Sequence, residues 1–125
     1  MVDRQAEKVN GFETLLAWQK SQDLAVEIYS ILRLLPDNEE FGLKSQLRRA
    51  SASISANIAE GYGRSSSKDR ANFLSIANGS LLETKNFIYL AERLEYIDQQ
   101  TTSELLDLAT SCQRLIHGYR KSVLS

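Results

Sequence analysis

From Phe73 to Leu94 the chain repeats with a period that suits one long helix packed against others. Phe73, Ala77, Ser80, Thr84, Phe87, Ala91 and Leu94 fall at strict spacings of four and three, and Leu74, Leu81 and Ile88 form a second heptad row beside them. A helix turns once every 3.6 residues or so, and this spacing keeps one stripe facing its neighbours throughout. The repeat favours left-handed bundle packing with helices crossing near ~20°. The helix is expected over about residues 68–95. Gly79 costs about 1 kcal/mol there relative to alanine, so a close helix crossing is expected at that point.

Three further segments share the pattern. Over residues 12–35, Leu24, Ile28, Ile31 and Leu35 mark one face, Leu15, Trp18 and Leu32 widen it, and Pro36 with Asp37 ends it. Over residues 39–60 the inner face reads Leu43, Leu47, Ala50, Ile54, Asn57 and Ile58. The last segment starts at Thr101 or Thr102 and runs to Leu124, with Leu105, Ala109, Cys112, Ile116, Tyr119 and Val123 inside and a cap region at Thr102 and Glu104. One proline and six glycines in 125 residues leave little room for strands and turns. The fold class expected is all-α: an antiparallel up-down-up-down four-helix bundle over residues 12–125, preceded by a flexible polar segment, residues 1–11.

The second helix has an unusual back. Ala52, Ser55, Ala56 and Ala59 are small where a solvated face usually carries Lys and Glu. The helix is expected to pack on two sides, with these four residues at an oligomer interface; an alanine-rich free surface is the alternative.

Net charge is −1, but its distribution is uneven. Residues 44–70 carry Lys44, Arg48, Arg49, Arg64, Lys68 and Arg70 against Glu60 and Asp69, a net +4, whereas residues 1–43 are net −4. The six cations are candidates for nucleic-acid or anion contact, and an ordinary solvated face is the alternative.

Little in the sequence supports catalysis. His117 is the single histidine and stands on the last helix near Arg114, Arg120 and Lys121, where an exposed structural residue is expected. Cys112 is the single cysteine and occupies a core register, so it reads as a small buried hydrophobe in a reducing compartment. No Glu is followed three residues later by His, so the paired Glu-x-x-His ligands of a di-metal bundle cannot be assembled. No metal, cofactor or enzymatic activity is expected. No run approaches the roughly 20 apolar residues of a membrane span, and a cytoplasmic protein without membrane contact is expected.

Residues 57–67, NIAEGYGRSSS, are the nearest thing to a phosphate loop. Walker and Rossmann loops follow a strand and have other glycine spacings. Here a helix comes first, so Gly61 is expected to end it in the left-handed conformation, with Ser66 or Ser67 capping the next helix. Asn57, Glu60, Ser80 and Glu83 lie near the seam between the second and third helices. They are expected to form a polar network that fixes register; a ligand pocket is the sharper alternative.

The stretches FETLLAWQKSQDLAVEIY, GLKSQLRRASASISANIAEGYGR and FLSIANGSLLETKNFIYLAERLEYI resemble the 23S rRNA intervening-sequence proteins, a four-helix-bundle family. The Arg-Arg-Ala, Asn-Ile-Ala-Glu-Gly and Gly-Ser-Leu-x-Glu blocks stand in the family's order. The resemblance implies a ring-like homopentamer with no known catalytic activity. It also implies a relation to the accessory proteins of diversity-generating retroelements, which bind a reverse transcriptase and nucleic acid through a basic surface. Two functions are therefore expected to compete: an oligomeric module binding RNA or a nucleic-acid enzyme through the six cations, and a purely structural or protein-interaction scaffold.

Overall fold

A computed structural model gives the architecture and describes residues 11–125. The expected flexible segment therefore lies outside the described residues, apart from Gly11. Among those described there are four α-helices, Leu16–Ile31 (α1), Leu43–Tyr62 (α2), Ser67–Arg93 (α3) and Gln99–Leu124 (α4), with 3₁₀ turns at Phe12–Thr14, Leu32–Leu34 and Asp37–Glu39. Each helix packs on the next, and α4 closes the bundle against α1. Cross-helix contacts run antiparallel between α2 and α3: Arg49 pairs with Glu83, Ser53 with Ser80, and Gly61 abuts Phe73. The same sense holds for α3 and α4, where Lys85 meets Gln113 and Ser75 meets Arg120.

The core is built from the expected faces. Leu24, Ile28, Leu47, Ile54, Ile58, Leu74, Leu81, Ile88, Cys112 and Ile116 are among its fully buried side chains. On α3 both expected rows reach the core: Leu74, Leu81 and Ile88 are buried, as are Ala77, Ser80, Thr84 and Ala91, whereas Phe73 and Phe87 are half-buried and Leu94 is exposed. Inner-face hydroxyls are satisfied within their own helices: Ser21 donates to the Ala17 carbonyl (2.6 Å), Ser51 to Leu47 (2.7 Å) and Thr84 to Ser80 (2.9 Å).

The helix ends correct several expectations. The first helix does not begin at Phe12, because Leu15 is extended at φ −74°, ψ 124° and no side chain caps α1. A 3₁₀ turn precedes it instead, and Phe12 packs edge-on against Trp18 with centroids 5.2 Å apart. The second helix starts at Leu43 rather than near Glu39, after the turn Asp37–Glu39 and Gly42. Ser66 caps α3 as expected, its hydroxyl accepting from the Asp69 amide at 3.1 Å. Asp98, not Thr102, caps α4: its carboxylate accepts from the Thr101 amide at 2.8 Å. Thr102 is buried and donates to the Asp98 carbonyl. The backbone bond from Thr101 holds the Asp98 carboxyl below its usual range.

Both glycine expectations also change. Gly61 does not end α2 in a left-handed conformation; the helix continues to Tyr62, and no glycine among the described residues has positive φ. Its role is close approach. A Cβ on Gly61 would lie 2.8 Å from the Phe73 Cβ and 3.3 Å from the Arg70 carbonyl oxygen. Gly79, expected to permit such a crossing, faces open space with nothing within 4 Å of a Cβ. The left-handed residue is Glu95, at φ 64°, which ends α3 with the Tyr96 amide bonded back to the Ala91 carbonyl.

Candidate nucleic-acid interface

The fold splits the six sequence-adjacent cations into two groups. From Lys44 to Arg64 the chain advances along α2 for about 30 Å. Lys44, Arg48 and Arg49 belong to its first two turns, while Arg64, Lys68 and Arg70 surround the α2–α3 turn at the opposite end of the bundle.

The first group is occupied by carboxylates. Lys44 is buried, with its Nζ 3.6 Å from Glu40 and 3.8 Å from Asp37. Arg48 pairs with Glu40 at 2.8 Å, and Arg49 with Glu83 at 2.6 Å while also donating to Gln46. Asp37, Glu40 and Glu83 lie outside the stretch 44–70, so counting charge along the chain overstated the positive field at this end. Glu92, Glu95 and Asp98 cluster near the same end, at the α3–α4 connection.

The second group is held differently. Arg64 pairs with Glu60 at 2.7 Å, and its guanidinium stacks 4.7 Å from the centre of the Phe73 ring. Arg70 donates from Nε to the Arg64 carbonyl at 2.7 Å, which folds the turn over the start of α3. Lys68 is exposed and enters no ion pair among the described residues. The antiparallel arrangement brings the end of α4 to this place. Arg120 donates from Nε to the Ala71 carbonyl (3.2 Å) and to the Ser75 hydroxyl (3.0 Å), and Lys121 follows it, exposed. A shallow hollow of about 580 Å³ lined by His117, Arg120, Lys121, Leu124 and Ser125 lies alongside. Five cations, Arg64, Lys68, Arg70, Arg120 and Lys121, thus share one end of the bundle with two acids, Glu60 and Asp69. The α3 N-terminus adds the positive end of its dipole. Sequence reasoning missed Arg120 and Lys121 because they stand some fifty residues away. The antiparallel topology was the signal that could have placed them.

The four seam residues divide as well. Asn57 donates to the Ser53 carbonyl (2.8 Å) and hydroxyl (3.0 Å), and Ser80 donates to the same hydroxyl at 2.9 Å. Ser53, which was not singled out from the sequence, is the hinge of this network. Glu60 and Glu83 take no part in it, being engaged by Arg64 and Arg49. Of the small residues on the back of α2, Ser55 is buried and accepts from Gln22 Nε2 at 2.9 Å. Ala59 is half-buried, and Ala52 and Ala56 are exposed.

Cys112 is fully buried, and burial pushes its thiol up to about 11, which leaves no thiolate for nucleophilic work near neutrality. Among the described residues no group of His, Cys, Asp and Glu is placed to hold a metal ion, and no helix is long and apolar enough to cross a membrane.

Residues 13–118 match the family described as 23S rRNA-intervening sequence protein. A solved structure from Bacteroides thetaiotaomicron, described as a protein with unknown function from the S23 ribosomal protein family, superposes with a TM-score of 0.76 at 30% sequence identity. The similarity covers 85% of this chain and 99% of that one. No curated protein matches the chain. Neither the family's description nor that of the solved structure names a catalytic activity. The family match spans all four helices, and the chain belongs to the 23S rRNA-intervening sequence protein family.

Proposed function

We propose that this protein is a non-catalytic, oligomeric module that binds structured RNA through the basic end of its bundle. The observation that supports this reading is the convergence of Arg64, Lys68, Arg70, Arg120 and Lys121 around the start of α3, with Lys68 and Lys121 exposed. Phosphates are recognised by such clusters of cations and backbone amides. In a homopentamer, as the family resemblance implies, five copies of the cluster act together and avidity multiplies a modest single-site affinity.

Lys44, Arg48 and Arg49 belong to a second reading, in which the chain is a structural scaffold. Their pairing with Asp37, Glu40 and Glu83 favours it for that half of the molecule. The test compares two double variants for binding to a labelled RNA hairpin at constant salt. Lys68→Glu/Lys121→Glu is expected to weaken binding about tenfold or more, whereas Arg48→Ala/Arg49→Ala changes it less than about threefold. The opposite order, or equal affinity across wild type and both variants, overturns the assignment.

A further inference from the structure

We propose that Arg64 is a stacking platform for an unpaired base of the bound RNA. This rests on the RNA-binding reading above and narrows its ligand, from structured RNA in general to a loop, bulge or end that presents a free base beside its phosphates.

The Arg64 side chain is held in place before any ligand arrives. Its guanidinium carbon lies over the Phe73 ring, 4.7 Å from the centre. One of its nitrogens donates to Glu60 Oε1 at 2.7 Å. The backbone is pinned as well: the Arg64 amide donates to the Gly61 carbonyl (3.1 Å), and the Arg64 carbonyl accepts from Arg70 Nε (2.7 Å). Phe73 is itself fixed, because a methyl group on Gly61 would come 2.8 Å from its Cβ. Gly61, Phe73 and Arg64 thus follow one another outward from the contact between α2 and α3. The Arg64 side chain is still 43% exposed, which leaves the side away from the ring open to a ligand. A guanidinium is a rigid, delocalised plane, and one already ordered in the free protein loses little freedom when a base stacks on it.

Charge separates this residue from the other cations at the same end. Arg64 shares its positive charge with Glu60, so a phosphate approaching it also meets a carboxylate. A base is uncharged, and it stacks on the guanidinium face without displacing Glu60 from the edge. Lys68 and Lys121 are exposed and enter no ion pair among the described residues, so they remain for the phosphates next to that base. A continuous duplex satisfies only the lysines, since its bases are stacked inside the helix.

Binding to two RNA hairpins of identical length and charge tests this, one with a purine loop and one whose loop sugars lack their bases. Wild type is expected to bind the purine loop about five- to a hundredfold more tightly. Arg64→Lys keeps the charge and removes the plane; the site is exposed, so the variant is expected to fold, which far-UV circular dichroism checks. It is expected to bind both hairpins alike, with the dependence of affinity on salt as in wild type. A wild type that binds both hairpins alike, with an affinity that falls as salt rises, overturns the stacking assignment and leaves the RNA-binding reading standing. So does an Arg64→Lys variant that keeps the purine preference. Binding to neither hairpin overturns both.

Discussion

At the residue scale, one glycine and one cysteine show how position overrides type. Gly61 looked like a helix terminator and is instead a point of close approach between α2 and α3. Replacing it by alanine brings about 1 kcal/mol of helix propensity but sets a methyl 2.8 Å from the Phe73 Cβ. Overpacking between two backbones costs about 1–3 kcal/mol, so Gly61→Ala is expected to lower the urea midpoint, and an increase would refute the close-approach role. Cys112 makes a pH prediction. Folding favours its protonated thiol, whose value rises from 9.0 to about 11. The unfolded chain therefore releases a proton that the folded chain keeps, and stability falls as pH rises from about 9 towards 11. Tyr119, desolvated by burial, and Tyr96, bonded to Glu39, shift in the same direction. Cys112→Ala is expected to reduce, not abolish, the drop in denaturation midpoint over that range. An identical drop would remove the cysteine from the account.

At the element scale, the pairing of α2 with α3 was legible in outline and not in detail. Periodicity placed every helix, because burying one face of a 3.6-residue spiral leaves its mark on the letters themselves. It did not show that Phe73 stays half-buried beside a buried Leu74, since the two differ by one position and only the depth of the neighbouring helix decides between them. Helix starts were less legible. Asp98 captured the cap of α4 because its carboxylate meets the Thr101 amide, while the equally plausible Thr102 turned inward. Ion pairs across helices were hidden for a related reason: Arg49 and Glu83 are 34 residues apart in the chain and 2.6 Å apart in space. Both side chains are about half exposed, so their coupling is expected to be small, about 0.2–1 kcal/mol in a double-alanine cycle read by chemical denaturation. A coupling of zero would return Arg49 to the pool of cations available to a ligand.

At the scale of the whole molecule, the bundle sorts its charges by end. Lys44, Arg48 and Arg49 are matched by carboxylates, and Arg64, Lys68 and Arg70 are joined by Arg120 and Lys121 from a distant part of the chain. The basic stretch was visible in the sequence, but its division was not, because that depends on a helix about 30 Å long separating residues that neighbour each other in the text. The central claim is that the basic end meets phosphates, and the dependence of RNA affinity on salt tests it most directly. For wild type the logarithm of the association constant is expected to fall linearly with the logarithm of salt concentration, and Lys68→Ala/Lys121→Ala is expected to make that slope shallower by about 1–2. An affinity indifferent to salt, or a slope that the double variant leaves unchanged, would contradict it.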